Sequence, residues 1–430
     1  MFDPQANALN KIINDNNPAV SSMLSEKGKA IFFPKLGILS QSAEAKGSEI
    51  NATIGIALED NGAPMVLDSL YKLINLNDTQ GFTYAPSQGR PDIRNLWKKM
   101  LNIKNPSLSG KKFSNPVVAN ALTHGLSMAG YLFVDENDAI ITPDLYWENY
   151  NLLFCSAYGG AFTTYPTFID NKRFNISGLR TKLLDGAAGK KIVMLNFPNN
   201  PTGYTISQQE AEELRSLLIE AADAGNDILV LIDDAYFGLV YEDGILRESM
   251  FALLCDAHER ILTIKFDGPT KEDYVWGFRV GFITFGIKNG TNELYNALEA
   301  KLSGAIRGNI SNASNIGQSL LLSAYTSETY DAEKREKFST LERRYRRIKE
   351  VFSNHPEYAE YFFPLPYNSG YFMCIKVLSG DAEKLRCKLI ENYSTGTIAQ
   401  NDVLRIAFSS IPYELVDKLF DNCYRAAQEC

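Results

Sequence analysis

Between about residues 90 and 300, short apolar runs alternate with stretches where apolar positions recur every three or four residues. The helical spacing predicts helices over 93–101, 125–133 and 208–224, and another helix starting within 149–157. The runs 116–120, 139–142, 191–197, 228–232, 261–266 and 278–285 read as strands. Strands alternating with helices predict an α/β architecture: a mostly parallel sheet with helices on both faces. Ligands of such sheets collect beyond the carboxyl ends of the strands.

Past about residue 320 the pattern changes. Residues 329–352 form a long charged helical stretch whose charges predict a solvated face. Short strands at 370–377 and 403–408 and a helix at 413–428 complete a smaller α+β domain. The expected division is a segment 1–60 joining the small domain, a large domain 61–320 and a small domain 321–430.

Composition narrows the function classes. The 430 residues carry a net charge of −8, with 45% hydrophobic and 22% charged residues, which is ordinary globular usage. An acidic chain lacks the basic footprint of a nucleic-acid binder and is not drawn to anionic lipid. Anionic ligands would have to be met by local Arg or Lys. The six cysteines show no CxxC spacing and there are only three histidines, so no metal site is expected and the thiols read as free. The N-terminus has no secretory pattern, and no apolar run reaches membrane-span length. A cytoplasmic protein is expected.

The polar singularities fall just after the predicted strands. Run 191–197 leads into Pro198-Asn199-Asn200-Pro201-Thr202-Gly203, where two prolines and a glycine enforce a turn at a strand end. Run 228–232 ends in Asp233-Asp234-Ala235-Tyr236. An acid leaving a buried strand needs a donor or cation, or caps the next segment. Thr270-Lys271 is followed by Trp276-Gly277-Phe278-Arg279, and a late arginine, Arg405, sits in Leu404-Arg405-Ile406. Each feature alone has a bland structural reading.

In this order the set resembles the fold-type I aminotransferases (class I/II, aspartate-aminotransferase-like), over roughly residues 50–410. The resemblance implies pyridoxal 5'-phosphate held as an imine on Lys271, whose amine must be neutral to react and later moves a proton. Asp233 matches the acid that keeps the pyridine nitrogen protonated. Asn200 and Tyr236 match the groups that hold the cofactor's phenolic oxygen. Arg279 matches the phosphate-binding arginine. Gly125, Leu126 and Ser127, within 123–128, match the loop that opens a helix under that phosphate, beside His124. Trp147 matches the aromatic residue stacked on the ring, and Asn149 a supporting donor.

The resemblance extends to substrate and assembly. Tyr84 matches a tyrosine that reaches the phosphate of a neighbouring subunit, which implies a homodimer with shared active sites. Arg405 matches the arginine for the substrate α-carboxylate, and Gly55 a glycine over the substrate. Arg307 resembles the arginine that meets a side-chain carboxylate, pointing to aspartate or an aromatic amino acid as donor and 2-oxoglutarate as acceptor. A lyase or synthase on the same scaffold is the alternative within this chemistry. One departure stands out: the usual Ser-x-Ser-Lys is Gly268-Pro269-Thr270-Lys271, so only Thr270 remains to bind phosphate. Lys265, within a predicted strand, is the rival lysine.

Overall fold

The computed structural model describes residues 2–16, 21, 24, 26–30, 38–71 and 77–430. Seven strands make the central sheet: β1 (Val117–Ala119), β2 (Ala139–Pro143), β3 (Ala161–Tyr165), β4 (Lys190–Asn196), β5 (Asp227–Asp233), β6 (Ile261–Asp267) and β7 (Gly281–Gly286). Their spatial order is β1-β7-β6-β5-β4-β2-β3. All neighbours run parallel except β7, which is antiparallel to both β1 and β6. The central strand β5 is buried from Ile228 to Asp233. That is why it reads as a continuous apolar run rather than an alternating one.

A second, antiparallel sheet follows, formed by β8 (Phe362–Pro364), β9 (Phe372–Val377), β10 (Ile398–Gln400) and β11 (Val403–Ala407) in the order β8-β9-β11-β10. Ile50–Asn51 pairs in parallel with Thr395–Gly396, tying the early chain to this late unit. The α/β fold with a smaller α+β part agrees with the expectation from the hydrophobic pattern.

Four local differences have physical causes. The helix expected from residue 125 begins at Ala121, because Ala121 turns the chain at φ 66° and the His124 ring accepts from the Asn120 N–H. The strand expected from residue 278 begins at Gly281, since Arg279 is left-handed at φ 53°. The edge strand β3 was not foreseen, because only Tyr165 of its five residues is buried. The charged helix Tyr330–Asn354 is not simply a solvated face. Its Arg344 is fully buried and donates to the carbonyls of Ser409 (2.7 Å) and Leu58 (2.6 Å).

Candidate active site

Asp233 ends β5 at the middle of the sheet and is buried. It accepts from the Tyr150 hydroxyl at 2.5 Å and from the Ala235 N–H at 3.0 Å, and no cation lies within ion-pair distance among the described residues. Burial pushes its carboxyl up to about 6 against the pull of these donors and of Lys271. An acid left in this state suits a buried cationic ligand group.

The next strand supplies the turn. Asn196, at the end of β4, donates to the Asp233 carbonyl (2.8 Å) and accepts from the Asn200 N–H (2.8 Å). The strand end therefore presets the turn that carries Asn200. The Asn200 Oδ1 accepts from Arg405 at 3.2 Å, which leaves its amide hydrogens free to face a ligand. Tyr236, two residues after the β5 turn begins, is buried with its ring edge against Tyr371 and Phe372.

Lys271 sits in the single helical turn Pro269–Glu272 that follows β6. Its ammonium lies 5.2 Å from the Tyr236 ring centroid, and its carbonyl accepts from the Tyr371 hydroxyl at 2.8 Å. Burial lowers its pKa to about 8, with Asp233 opposing and Arg279 and Arg405 reinforcing. That favours a neutral amine far more than the usual value near 10.4. Lys271 and Asp233 thus lie in each other's field. Lys265, the rival lysine, is fully buried and paired to Asp234 and, at 3.3 Å, to Asp267.

Arg405, on β11, is a cation of the second sheet. It is buried, donates to Asn200 and to the Thr53 carbonyl (3.2 Å), and its Nε has no partner. Its guanidinium stacks 4.5 Å from the Phe372 ring centroid. No carboxylate pairs with it among the described residues. A desolvated guanidinium with spare donors is a receptor for an anion.

The remaining expected residues divide. Thr270 is buried beside Lys271 with an unpartnered hydroxyl, a donor awaiting an acceptor. Gly268 is explained by packing: a Cβ there would lie 2.9 Å from the Val280 carbonyl oxygen and 3.1 Å from the Leu122 side chain. A serine does not fit without moving β7. Arg279 is exposed, its guanidinium donating to the Trp276 carbonyl at 3.0 Å. Trp147 is half-buried, edge-on to Tyr150 at 5.4 Å, and with Thr123 and Glu148 lines a cleft of about 1510 Å³. Tyr84 is 90% exposed, and Arg307 is an exposed residue bonded to Ser311 at 2.7 Å. Gly55 is half-buried with open space over its Cα.

The loop assignment for Gly125, Leu126 and Ser127 is corrected. The helix has already begun at Ala121, so these three lie beyond the first free amides. Leu126 is fully buried in the core, Gly125 packs on Ile283 and Phe266, and Ser127 meets the Tyr158 hydroxyl at 3.1 Å. The free helix end belongs to Ala121, Leu122 and Thr123. Sequence reasoning also missed Tyr150, Asn196, Thr53 and Tyr371. Tyr150 was within reach, three residues after Trp147; the others are visible only through their partners. Among the described residues no cluster of ligands could hold a metal, and no helix is long and apolar enough to cross a membrane.

Unpaired Asp233, orphaned Thr270, a depressed Lys271 and a half-satisfied Arg405 fit a ligand with a cationic group, an electrophilic centre and anionic ends. The family model for aminotransferase class I and II matches residues 50–422. An aspartate aminotransferase of Bacillus subtilis (strain 168) is 27% identical over 336 residues, covering 74% of this chain and 78% of its own. An aromatic-amino-acid aminotransferase of Thermococcus litoralis is 28% identical over 201 residues, 46% of this chain and 48% of its own. Among solved structures, an aminotransferase of Anaerococcus prevotii superposes with a TM-score of 0.81 at 24% identity, covering 94% of this chain and 99% of that one. A kynurenine aminotransferase of Pyrococcus horikoshii, solved with PMP, superposes with a TM-score of 0.78 at 16% identity, covering 95% and 98%.

Proposed function

Because this chain belongs to the class I and II aminotransferase family, we propose that it uses pyridoxal 5'-phosphate to transfer the amino group of aspartate or an aromatic amino acid to a 2-oxo acid such as 2-oxoglutarate, with Lys271 as the reactive amine. The observation that carries the reading is the uncompensated charge at the strand ends: Asp233 without a cation and Arg405 without an anion, both buried. Leaving such groups unpaired costs free energy that only a ligand returns.

The cofactor supplies an electrophilic aldehyde and an electron-withdrawing pyridine ring. Asp233 would keep a proton on the ring nitrogen, itself steadied by Tyr150 and the Ala235 N–H. Asn200 and Tyr236 would donate to the ring oxygen. Thr270, Arg279 and the helix end at Ala121–Phe133 would hold the phosphate, with Trp147 against the ring. Arg405 would grip the substrate carboxylate with its free Nε edge. Its position over Phe372 fixes the plane of the fork. Lys271, neutral in a large fraction near pH 8, would move a proton at the substrate α-carbon. Tyr371 holds the lysine's own backbone while the side chain moves.

Names of relatives support the donor class. Arg307 would discriminate side-chain carboxylates from the neighbouring subunit of a homodimer, and Tyr84 would reach across the same interface. Gly55 would leave room over the substrate. Residues 61–320 would form the cofactor-binding unit, with 1–60 and 321–430 together forming the second, as the pairing of Ile50–Asn51 with Thr395–Gly396 supports. Six free thiols support work in the cytoplasm. The test is incubation of the loaded enzyme with 2-oxoglutarate and a panel of amino acids. Glutamate should form with aspartate or an aromatic donor; none from any donor sinks the reading.

A further inference from the structure

Immediately after Lys271 come two acids, Glu272 and Asp273, both buried. They point away from the site and are fully partnered. The Glu272 carboxylate pairs with Lys104 at 2.8 Å and Lys334 at 2.6 Å. Asp273 accepts from the hydroxyls of Tyr325 (2.8 Å) and Tyr330 (2.6 Å) and lies 3.1 Å from the Lys334 ammonium. The partners come from three directions. Lys104 ends the helix Pro91–Lys104, Tyr325 ends Asn315–Tyr325, and Tyr330 and Lys334 begin Tyr330–Asn354. That last helix continues to Arg344, which donates to the Ser409 carbonyl just beyond β11, the strand of Arg405.

Burial opposes the charge on Glu272, but the two ammoniums hold its carboxyl well below the ordinary range. The turn that carries Lys271 is otherwise held by three hydrogen bonds. Its backbone closes through the Asp273 N–H to the Pro269 carbonyl and the Val275 N–H to the Thr270 carbonyl, and Tyr371 donates to the Lys271 carbonyl. A three-residue segment thus has its middle acid clamped between the helix Pro91–Lys104 and the helix Tyr330–Asn354, while the preceding amine faces the site.

We propose that Glu272 and Asp273 are positioning residues: a charged joint that holds the Lys271 amine in its desolvated place and ties that place to the helix Tyr330–Asn354. The proposal rests on Lys271 being the reactive amine. Breaking the joint lets the turn loosen and admits water to the amine.

The groups that face Lys271 itself are Asp233, Tyr236, Arg279 and Arg405; Glu272 is not a notable source of field at the amine. This separates two explanations by sign. Loss of a nearby negative charge would lower the amine's pKa, whereas rehydration raises it toward 10.4.

The experiment uses the full-length chain, freed of cofactor. Trinitrobenzenesulfonate labelling of Lys271 is followed across pH and read by peptide mass spectrometry. Wild type should show a midpoint near 8. Glu272→Gln and Lys334→Met should each raise it by about one pH unit. In the loaded enzyme kcat should fall at least about tenfold with KM within about threefold, because the group is misplaced rather than the substrate. Lys334→Arg, which can still bridge both acids, should restore both readouts. Folded variants whose midpoint stays at or below wild type, or whose kcat is unchanged, overturn the joint. Should Glu272→Gln fail to fold, Lys334→Met decides, since Glu272 keeps Lys104. Persistent activity in Lys271→Ala would instead overturn the function reading, whatever the midpoints show.

Discussion

Two lysines, six positions apart in the chain, stand on opposite faces of the same sheet end and have opposite fates. Lys265 is enclosed by Asp234 and Asp267, with Trp97 bonding the second acid at 3.1 Å and Ser249 the first at 2.5 Å. Despite burial, these acids hold its pKa up. Lys271 has Asp233 in its field but no ion pair, and burial prevails. The adjacent acids divide the same way, because successive side chains of a strand point to opposite faces. Asp234 falls on the paired side and Asp233 on the unpaired one. One face uses its charges against each other and becomes rigid structure. The other leaves them without a charged partner, a state that suits a ligand. Unpaired buried charge, rather than buried charge as such, marks the side proposed to be functional.

Four measurements can break that contrast. Lys271→Ala should reduce turnover by at least about 10³-fold and remove the bound cofactor's visible band, while the fold persists. Survival of the band would reassign the amine. Lys265→Met should do the reverse. It strands two buried acids and should cost about 3–5 kcal/mol in urea unfolding, with turnover of the folded fraction nearly unchanged. A stable but inactive Lys265→Met would erase the distinction between the faces.

Asp233→Asn sharpens it further. The Asp233 pKa is raised from 3.8 to about 6. In the cofactor-free chain its contribution is fully present below 3.8 and is lost as pH rises through about 6. At neutral pH the ionised acid therefore weakens the fold by up to about 3 kcal/mol. The asparagine variant should be more stable by about that amount, flatter between those pH values, and inactive. A destabilised variant would show that Asp233 is structural. The smallest change expected is Arg405→Lys. It keeps the charge but loses the fork, and should raise the amino-acid KM about tenfold with the cofactor spectrum intact. An altered spectrum would place the arginine's role at the cofactor instead.

Legibility in the sequence followed how local the cause was. The strands β4, β5 and β6 could be read because both faces are largely buried and the runs are rich in apolar residues. Asn200, Asp233 and Lys271 could be read because each lies at or within four residues of the end of such a strand. Edge strand β3, mostly uncovered, left no comparable signal. The helix Ala121–Phe133 was placed a turn late, because its start depends on a left-handed Ala121 that only the packing against β7 explains. Gly268, a puzzling departure in the chain, becomes necessary once Val280 and Leu122 lie against it.

The order of strands and helices and the residue types at their ends are written in the chain, because hydrophobic period and turn chemistry act over a few neighbours. Which charges would be paired was not. Lys104, Glu272 and Lys334 lie 168 and 62 positions apart, and Arg405 meets Asn200 across 205. Such partnerships arise only when distant helices and strands are brought together, and in a desolvated interior they decide whether a charge is structure or chemistry.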